Sequence, residues 1–292
     1  MLKSRKKTAC IIGLGKIGLT YDFNSKSNTK SHFKALEKSK YFKLVAGVDR
    51  KKKIFFKKIN LKIFPNIVDL SNIYNPHLIV ISVPTNQHMD TFLDVVKYLS
   101  PKIILFEKPM GQNIIEAKKI LKISKKKRIL LFVNYIRNYL PNLEKIKKLI
   151  YKKKLLVNLR YSGKIYNDFC HYFYLFNYLF GLKSNYRKRN LEDIFRNCTL
   201  KITKNKKNQK DNLQIVAKNL FIDWKNDNFI KIKTKFYKKT FNLDLENYQH
   251  HVINSIAQNI FYNKKKCLIS GQDALRFHKL FNDKKNKINK KK

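Results

Sequence analysis

At 292 residues the chain can hold two domains of ordinary size, and no apolar run reaches the roughly 18 residues of a membrane span, so no span is expected. The formal net charge of +46 invites a nucleic-acid reading, but arginine stands at only nine positions while 56 lysines are spread along the whole chain. The guanidinium fork is what base readers and phosphate clamps favour, so the surplus reads as a solvated lysine surface in a composition drawn from A/T-rich codons, and no specific nucleic-acid partner is expected.

In chain order, the first half alternates short apolar runs with amphipathic stretches. Ala9–Ile12, Lys43–Val48, Leu78–Val83, Lys102–Phe106 and Ile129–Val133 read as buried parallel strands. Between them His32–Lys40, Lys51–Ile59, Met89–Leu99 and Asn113–Ser124 read as helices. Past about residue 135 the texture changes. Pro141–Lys152 reads as a linking helix, Leu155–Ser162 as a strand and Asp168–Phe180 as an aromatic-rich helix stopped by Gly181. Strand-like segments follow at Thr199–Thr203, Leu213–Val216, Leu220–Asp223, Phe229–Lys235 and Thr240–Leu243, then helices at Tyr248–Tyr262 and Gly271–Phe281. Alternation followed by clustered strands predicts an α/β chain: an N-terminal doubly wound parallel sheet over residues 1–135, and an α+β domain with a mostly antiparallel sheet over 136–292. Lysines from 284 to 292 read as a disordered tail.

Two features of the N-terminus and the cysteines bear on location. Lys3, Arg5, Lys6 and Lys7 precede an apolar stretch as in a signal peptide, but Lys16 and three glycines interrupt that stretch. Cys10, Cys170, Cys198 and Cys267 form no CxxC pair, which suits reduced thiols and a cytoplasmic location.

Directly after the first strand stands Gly13-Leu14-Gly15-Lys16-Ile17-Gly18, the GxGxxG spacing of a dinucleotide-binding Rossmann turn. Its first glycine permits the tight turn, its second lets backbone N–H groups approach a pyrophosphate, and its third allows close helix–strand packing. Asp49 ends the second strand, where a carboxylate can accept from both ribose hydroxyls of NAD and repel a 2′-phosphate. It lies 31 residues past Gly18, an excess explained by an inserted polar loop over Tyr21–Thr29. Arg50, its neighbour, offers the contrary possibility of receiving the phosphate of NADP. No cluster of side chains with metal-ligand spacing is present, and His250-His251 has no further ligand nearby.

With these residues the sequence resembles the Gfo/Idh/MocA oxidoreductases. The resemblance is carried by Gly13–Gly18, His32, Val45–Asp49, the segment from Val83 to His88, and above all Glu107-Lys108-Pro109 leaving the strand Ile103–Phe106. It continues through the arginine-containing segment Asn134–Pro141, the stretch Asn167–Gly181 and the helix start at Ser270–Leu275. The resemblance implies that Lys108 lies beside nicotinamide and substrate, that His171 is the general base for a substrate hydroxyl, and that Asn167 stands where the family's pattern has Asp. It further implies that Pro84, Thr85, His88 and Glu107 border the cofactor along with Gly13, Gly15, Lys16, Ile17, Gly18, Asp49 and Arg50. The expected activity is hydride transfer between NAD (or NADP) and a sugar or sugar-like alcohol, a small-molecule substrate. The loop over Tyr21–Thr29 and the short path from Ser162 to Asn167 resemble branches that handle surface-polysaccharide sugars, which narrows the guess to a nucleotide-linked sugar. The alternative, raised by Asn167, is an NAD(H)-binding sensor or scaffold without turnover. A homo-oligomer is expected, because the family's second sheet usually packs against another subunit.

Overall fold

The computed structural model describes residues 6–51, 54–162, 169–205, 209–225, 228–264 and 268–289. The chain divides into two compact units: Met1–Tyr135 with Asn247–His278, and Ile136–Glu246 with Lys279–Lys292.

The first unit is built on a parallel sheet of β1 (Lys7–Ile12), β2 (Phe42–Val48), β3 (Lys62–Phe64), β4 (Leu78–Ile81), β5 (Ile103–Phe106) and β6 (Leu130–Val133). The strand order is β3-β2-β1-β4-β5-β6, the doubly wound Rossmann arrangement. Every residue of β4 and β5 is buried, as expected for central strands covered on both faces. The covering helices are α1 (His32–Glu37), α2 (Ile67–Ser71), α3 (His88–Tyr98) and α4 (Ile114–Lys126). Side-chain caps start three of them: Ser31 accepts from Lys34 N, Asn66 from Asp69 N, and Asn113 from Ile115 N and Glu116 N. The expected helix over Lys51–Ile59 is instead a 3-10 stretch at Ile54–Lys58, while Lys52 and Lys53 lie outside the described residues.

The helix that follows the glycine turn is interrupted. One turn forms, with Leu19 N donating to Gly15 O (2.9 Å) and Tyr21 N to Lys16 O (2.8 Å), and the chain then leaves through the loop read from the sequence. On its return, His32 N donates to Ile17 O and Phe33 N to Gly18 O, both at 2.9 Å, so α1 resumes where the first turn stopped. Buried Asp22 organises the excursion, its Oδ2 accepting from the backbone N–H groups of Lys30 and Ser31.

Helix α7 (Tyr248–Tyr262) and the start of α8 (Gly271–Asn289) belong to this first unit, whereas the sequence reading placed them in the second domain. Val252, Ile253, Ile256 and Ala257 of α7 are buried, Phe261 meets Phe42 at 5.6 Å between ring centroids, and Gln249 N donates to Thr29 O. Ser270 forms an isolated bridge with Phe132 on β6, and a Cβ on Gly271 would come within 2.5 Å of Leu131 Cδ2. An apolar helix face is legible in sequence; which core it covers is not. Helix α8 also runs to Asn289, into the span read as a disordered tail, because lysine is a good helix former and extends a helix already nucleated.

The second unit contains α5 (Leu143–Ile150), β7 (Leu155–Tyr161), α6 (Cys170–Phe180), β8 (Cys198–Lys204), β9 (Asn212–Ala217), β10 (Leu220–Trp224), β11 (Phe229–Thr234) and β12 (Lys238–Asn242). Its sheet runs β12-β11-β10-β9-β7-β8, antiparallel except for the β7–β8 pair. Burial alternates along β9, β10 and β11, so one face packs inward and the other does not. In register on that second face stand Asn158, Gln214, Asp223 and Lys231, and Gln214 Nε2 donates to Asp223 Oδ1.

Placing α7 in the first unit has a measurable consequence. Ile256 is fully buried, so Ile256→Ala should cost about 2–5 kcal/mol. Hydrogen exchange should then quicken in α1 and in the strands of the Rossmann sheet. Faster exchange confined to β9–β12 would assign the helix to the other unit.

Candidate active site

The carboxyl ends of β1, β2 and β4 enclose a cleft of about 560 Å3. The glycine turn forms its floor, and the three glycines are there for different reasons. Gly13 has φ +94°, and a Cβ on it would lie 2.7 Å from Val83 N. A Cβ on Gly18 would lie 2.1 Å from the carbonyl oxygen of Gly13. Around Gly15 no atom of the other described residues, its two chain neighbours apart, stands within 4 Å of the corresponding point. Gly13 and Gly18 are thus required by the fold itself, whereas the space at Gly15 suits a ligand that approaches the backbone, as a pyrophosphate does.

Hydrogen bonds fix the turn to the neighbouring strand ends. Gly13 N donates to Val48 O (2.8 Å), and Ser82 Oγ donates to Gly13 O (2.8 Å). Half-buried Asp49 accepts from Leu14 N through Oδ2 (2.9 Å) and from Lys51 N through Oδ1 (3.0 Å). A carboxylate oxygen has more than one acceptor direction, so Asp49 can serve the turn and a ribose hydroxyl together. Of the residues chosen from sequence, Gly13, Gly15, Asp49, Arg50 and Pro84 line the cleft. Lys16, Ile17, Gly18, Thr85, His88 and Glu107 are not among its lining residues; the Lys16 ammonium instead sits 4.9 Å over the Tyr21 ring. Asn66, Gln87, Thr91 and Asp94 line the cleft and were missed. The last three fall at i, i+4 and i+7 along one helical face, a polar stripe that sequence inspection can find.

At the end of β5 the Glu107 carboxylate is the hub of a buried polar cluster. Its Oε1 faces His32 Nε2 at 2.8 Å, accepts from Asn134 Nδ2 at 2.7 Å and lies 3.5 Å from Gln249 Nε2. Asn134 Nδ2 also donates to Gln249 Oε1, and His32 and Gln249 are fully buried. Burial pushes the Glu107 pKa up, but His32, the Asn134 amide and the Lys108 charge outweigh it and hold the carboxyl below its usual value. The next residue, half-buried Lys108, donates its backbone N–H to Glu107 Oε2 (3.4 Å) and precedes a cis peptide to Pro109.

His88 reaches the same segment from the other side. Its Nδ1 is 3.0 Å from Pro109 O and its Nε2 is 3.0 Å from Val83 O. Burial lowers its pKa against the pull of those carbonyls. The ring has no exposed surface and joins the segment of Val83, which lines the cleft, to that of Pro109. Lys108 therefore stands between two neighbours that are held in place.

In the second unit His171 is the second residue of α6 and is largely buried; Asn167 and Asp168 lie outside the described residues. Beside it Tyr172 donates its hydroxyl to Asp211 Oδ2 (2.7 Å), and the Arg137 guanidinium lies over the Tyr172 ring at 4.4 Å. Asp211 also accepts from Ser162 N at 3.0 Å. Burial pushes the Tyr172 hydroxyl pKa up; Arg137 opposes the shift and Asp211 adds to it. Arg137 was visible in the segment Asn134–Pro141, but Asp211 sits in a lysine- and asparagine-rich stretch that gives no signal. Among the described residues no group of His, Cys, Asp and Glu can hold a metal ion, and no helix is long and apolar enough to cross a membrane.

Known proteins share this fold. A dehydrogenase (MviM) from Clostridium difficile has a similar fold, with a TM-score of 0.73 at 16% identity, over 97% of this chain and 100% of that one. UDP-N-acetylglucosamine 3-dehydrogenase GnnA from Acidithiobacillus ferrooxidans matches with a TM-score of 0.69 at 13% identity, over 94% of each chain. The transcriptional regulator Gal80p from Kluyveromyces lactis matches with 0.73 at 14% identity, over 97% of this chain and 91% of that one. No curated protein matches the sequence. Residues 7–135, which carry the parallel sheet, match the Gfo/Idh/MocA family, described as an oxidoreductase family with an NAD-binding Rossmann fold.

Proposed function

We propose that this chain is an NAD-dependent oxidoreductase that transfers a hydride between nicotinamide and a CH–OH group of a sugar or sugar-like alcohol, nucleotide-linked in the narrowest reading. The observation that carries it is Glu107-Lys108-Pro109 at the carboxyl end of β5, with Glu107 bound by its buried partners and Lys108 following it. In open α/β sheets that edge is where ligands sit. The nicotinamide, when bound, takes or gives the hydride. Lys108 orients the reacting oxygen and favours negative charge developing on it. His171 takes the hydroxyl proton, and Asn167 orients the imidazole. These roles come from the family resemblance, and the fold shared with GnnA, a UDP-N-acetylglucosamine 3-dehydrogenase, supports the substrate class. A second reading, binding of NAD(H) without turnover, is favoured by Asn167 in place of Asp and by the fold shared with the regulator Gal80p.

The glycine turn supplies a test that needs no substrate. Gly15→Ala meets open space, so thermal stability should stay within about 0.5 kcal/mol of the parent. NADH affinity, read by fluorescence titration, should nevertheless fall at least about tenfold. Gly18→Ala should instead lower stability itself, by about 3 kcal/mol, since its Cβ would collide with backbone. Unchanged NADH binding in Gly15→Ala would remove the pyrophosphate from this turn.

Cofactor choice rests on Asp49 against Arg50, both lining the cleft. NADH should bind about tenfold tighter than NADPH, a difference of about 1.4 kcal/mol. Asp49→Ala should narrow or reverse that ratio. Tighter binding of NADPH to the parent protein would mean that Arg50 decides.

For turnover, Lys108→Ala and His171→Ala should each lower kcat by about 10²–10⁴ on a natural substrate while leaving NADH binding nearly unchanged. Asn167→Asp should leave the rate similar or raise it. Parent and all three variants binding NADH with the same near-zero rate on a panel of sugars and nucleotide-linked sugars would favour the reading without catalysis.

A further inference from the structure

The turn between β11 and β12 carries residues that turns seldom carry. Thr234 N donates to Tyr237 O (2.8 Å), and Thr234 Oγ1 accepts from Phe236 N (3.2 Å) and Tyr237 N (3.0 Å), so the tip is a defined structure. Its two central residues are Lys235 and Phe236, where Gly, Asn, Asp, Ser or Pro is usual. Phe236 is 87% exposed, above any other large hydrophobic side chain among the described residues, and Tyr237 beside it is 42% exposed.

Next to the tip, between α5 and β12, lies a shallow cleft of about 640 Å3. Lys145, Lys148, Lys238 and Lys239 line it, with Leu149, Tyr237 and Phe241, and among the described residues no carboxylate does; Glu144, although next to Lys145 in sequence, is not among the lining residues. The Lys145 and Lys239 ammonium groups lie 5.5 Å and 5.3 Å from the Phe241 ring centroid. Ring faces offset part of the repulsion among gathered ammonium groups, and an anionic surface would offset more.

We propose that this hairpin tip and its basic cleft dock the protein on an anionic phospholipid surface, Phe236 and Tyr237 entering the headgroup region while the lysines meet lipid phosphates. The pairing of exposed aromatic with flanking lysines is what interfacial binding needs. Single-stranded nucleic acid is the weaker fit, because it stacks successive bases along a groove, whereas the most exposed ring here stands at a convex tip. In a chain with 56 lysines a basic patch alone says little, so the aromatic tip carries the inference. It does not depend on the catalytic reading.

Vesicle binding tests it with the full chain. At about 150 mM salt the protein should co-sediment with phosphatidylcholine vesicles that contain phosphatidylglycerol, and not with phosphatidylcholine alone. Phe236→Ser combined with Tyr237→Ser, and separately Lys238→Glu with Lys239→Glu, should each lower partitioning at least about tenfold. Lys118→Glu with Lys122→Glu makes the same charge change on exposed positions of α4 and should lower it less than about threefold. Phe236→Trp should give emission that shifts to the blue when vesicles are added, against a buried Trp224 background. Equal losses from the two lysine pairs, or an unmoved Trp emission, would overturn the proposal. Binding to a uridine homopolymer that survives the same salt and disappears with the aromatic pair would reassign the tip to nucleic acid.

Discussion

A carboxylate cannot be held in a protein interior unless donors replace the water it has lost, and at Glu107 that requirement organises the first unit. The donors come from three places far apart in sequence: His32 at the start of α1, Asn134 just past β6, and Gln249 in α7. Each must arrive in the right place for the charge to be tolerated. The chain after the second unit's strands therefore has a reason to return to the Rossmann sheet, beyond covering an apolar surface. Removing any one donor leaves a charge with fewer partners, the kind of change that costs more than the lost contact is worth.

Rigidity at the carboxyl edge of the sheet is distributed over several such ties. Asp49 binds the glycine turn to the end of β2, Ser82 binds it to the end of β4, and His88 joins the turn after β4 to the segment after β5. None of these bonds needs a ligand to exist. A cofactor would meet a cleft whose backbone is set beforehand, and less ordering would be left for binding to accomplish.

Most of this architecture was legible as a string of residues. Continuous apolar runs marked β1, β2, β4, β5 and β6, because strands buried on both faces have no polar side to show. Strand-like segments clustered without intervening helices marked the second sheet. Strand β3 and helix α2 escaped notice: Lys62–Phe64 is too short to display a period, and Ile67–Ser71 is a single capped turn. The glycine turn stood out by its spacing, Asp49 by its place at a strand end, and Lys108 by the family resemblance of Glu107-Lys108-Pro109. Gln249 did not, since a polar residue on a helix normally faces solvent, and only the fold shows its buried amide turned toward the half-buried Glu107 carboxylate. His88 stood out by its segment, and only the fold shows its ring nitrogens facing the carbonyls of Val83 and Pro109, because sequence gives nearness to a segment but not the direction of a ring.

The interrupted helix after the glycine turn carries a consequence of another kind. Hydrogen bonds from His32 and Phe33 to Ile17 and Gly18 close the helix across the excursion as though the intervening residues were absent. The scaffold thus contains a graft point whose two edges are already stitched together. Closing a loop depends only weakly on its length, so segments of other sizes can be exchanged there while the glycine turn below and α1 above keep their register. Variation can accumulate at one port after the glycine turn, with the parallel sheet left undisturbed.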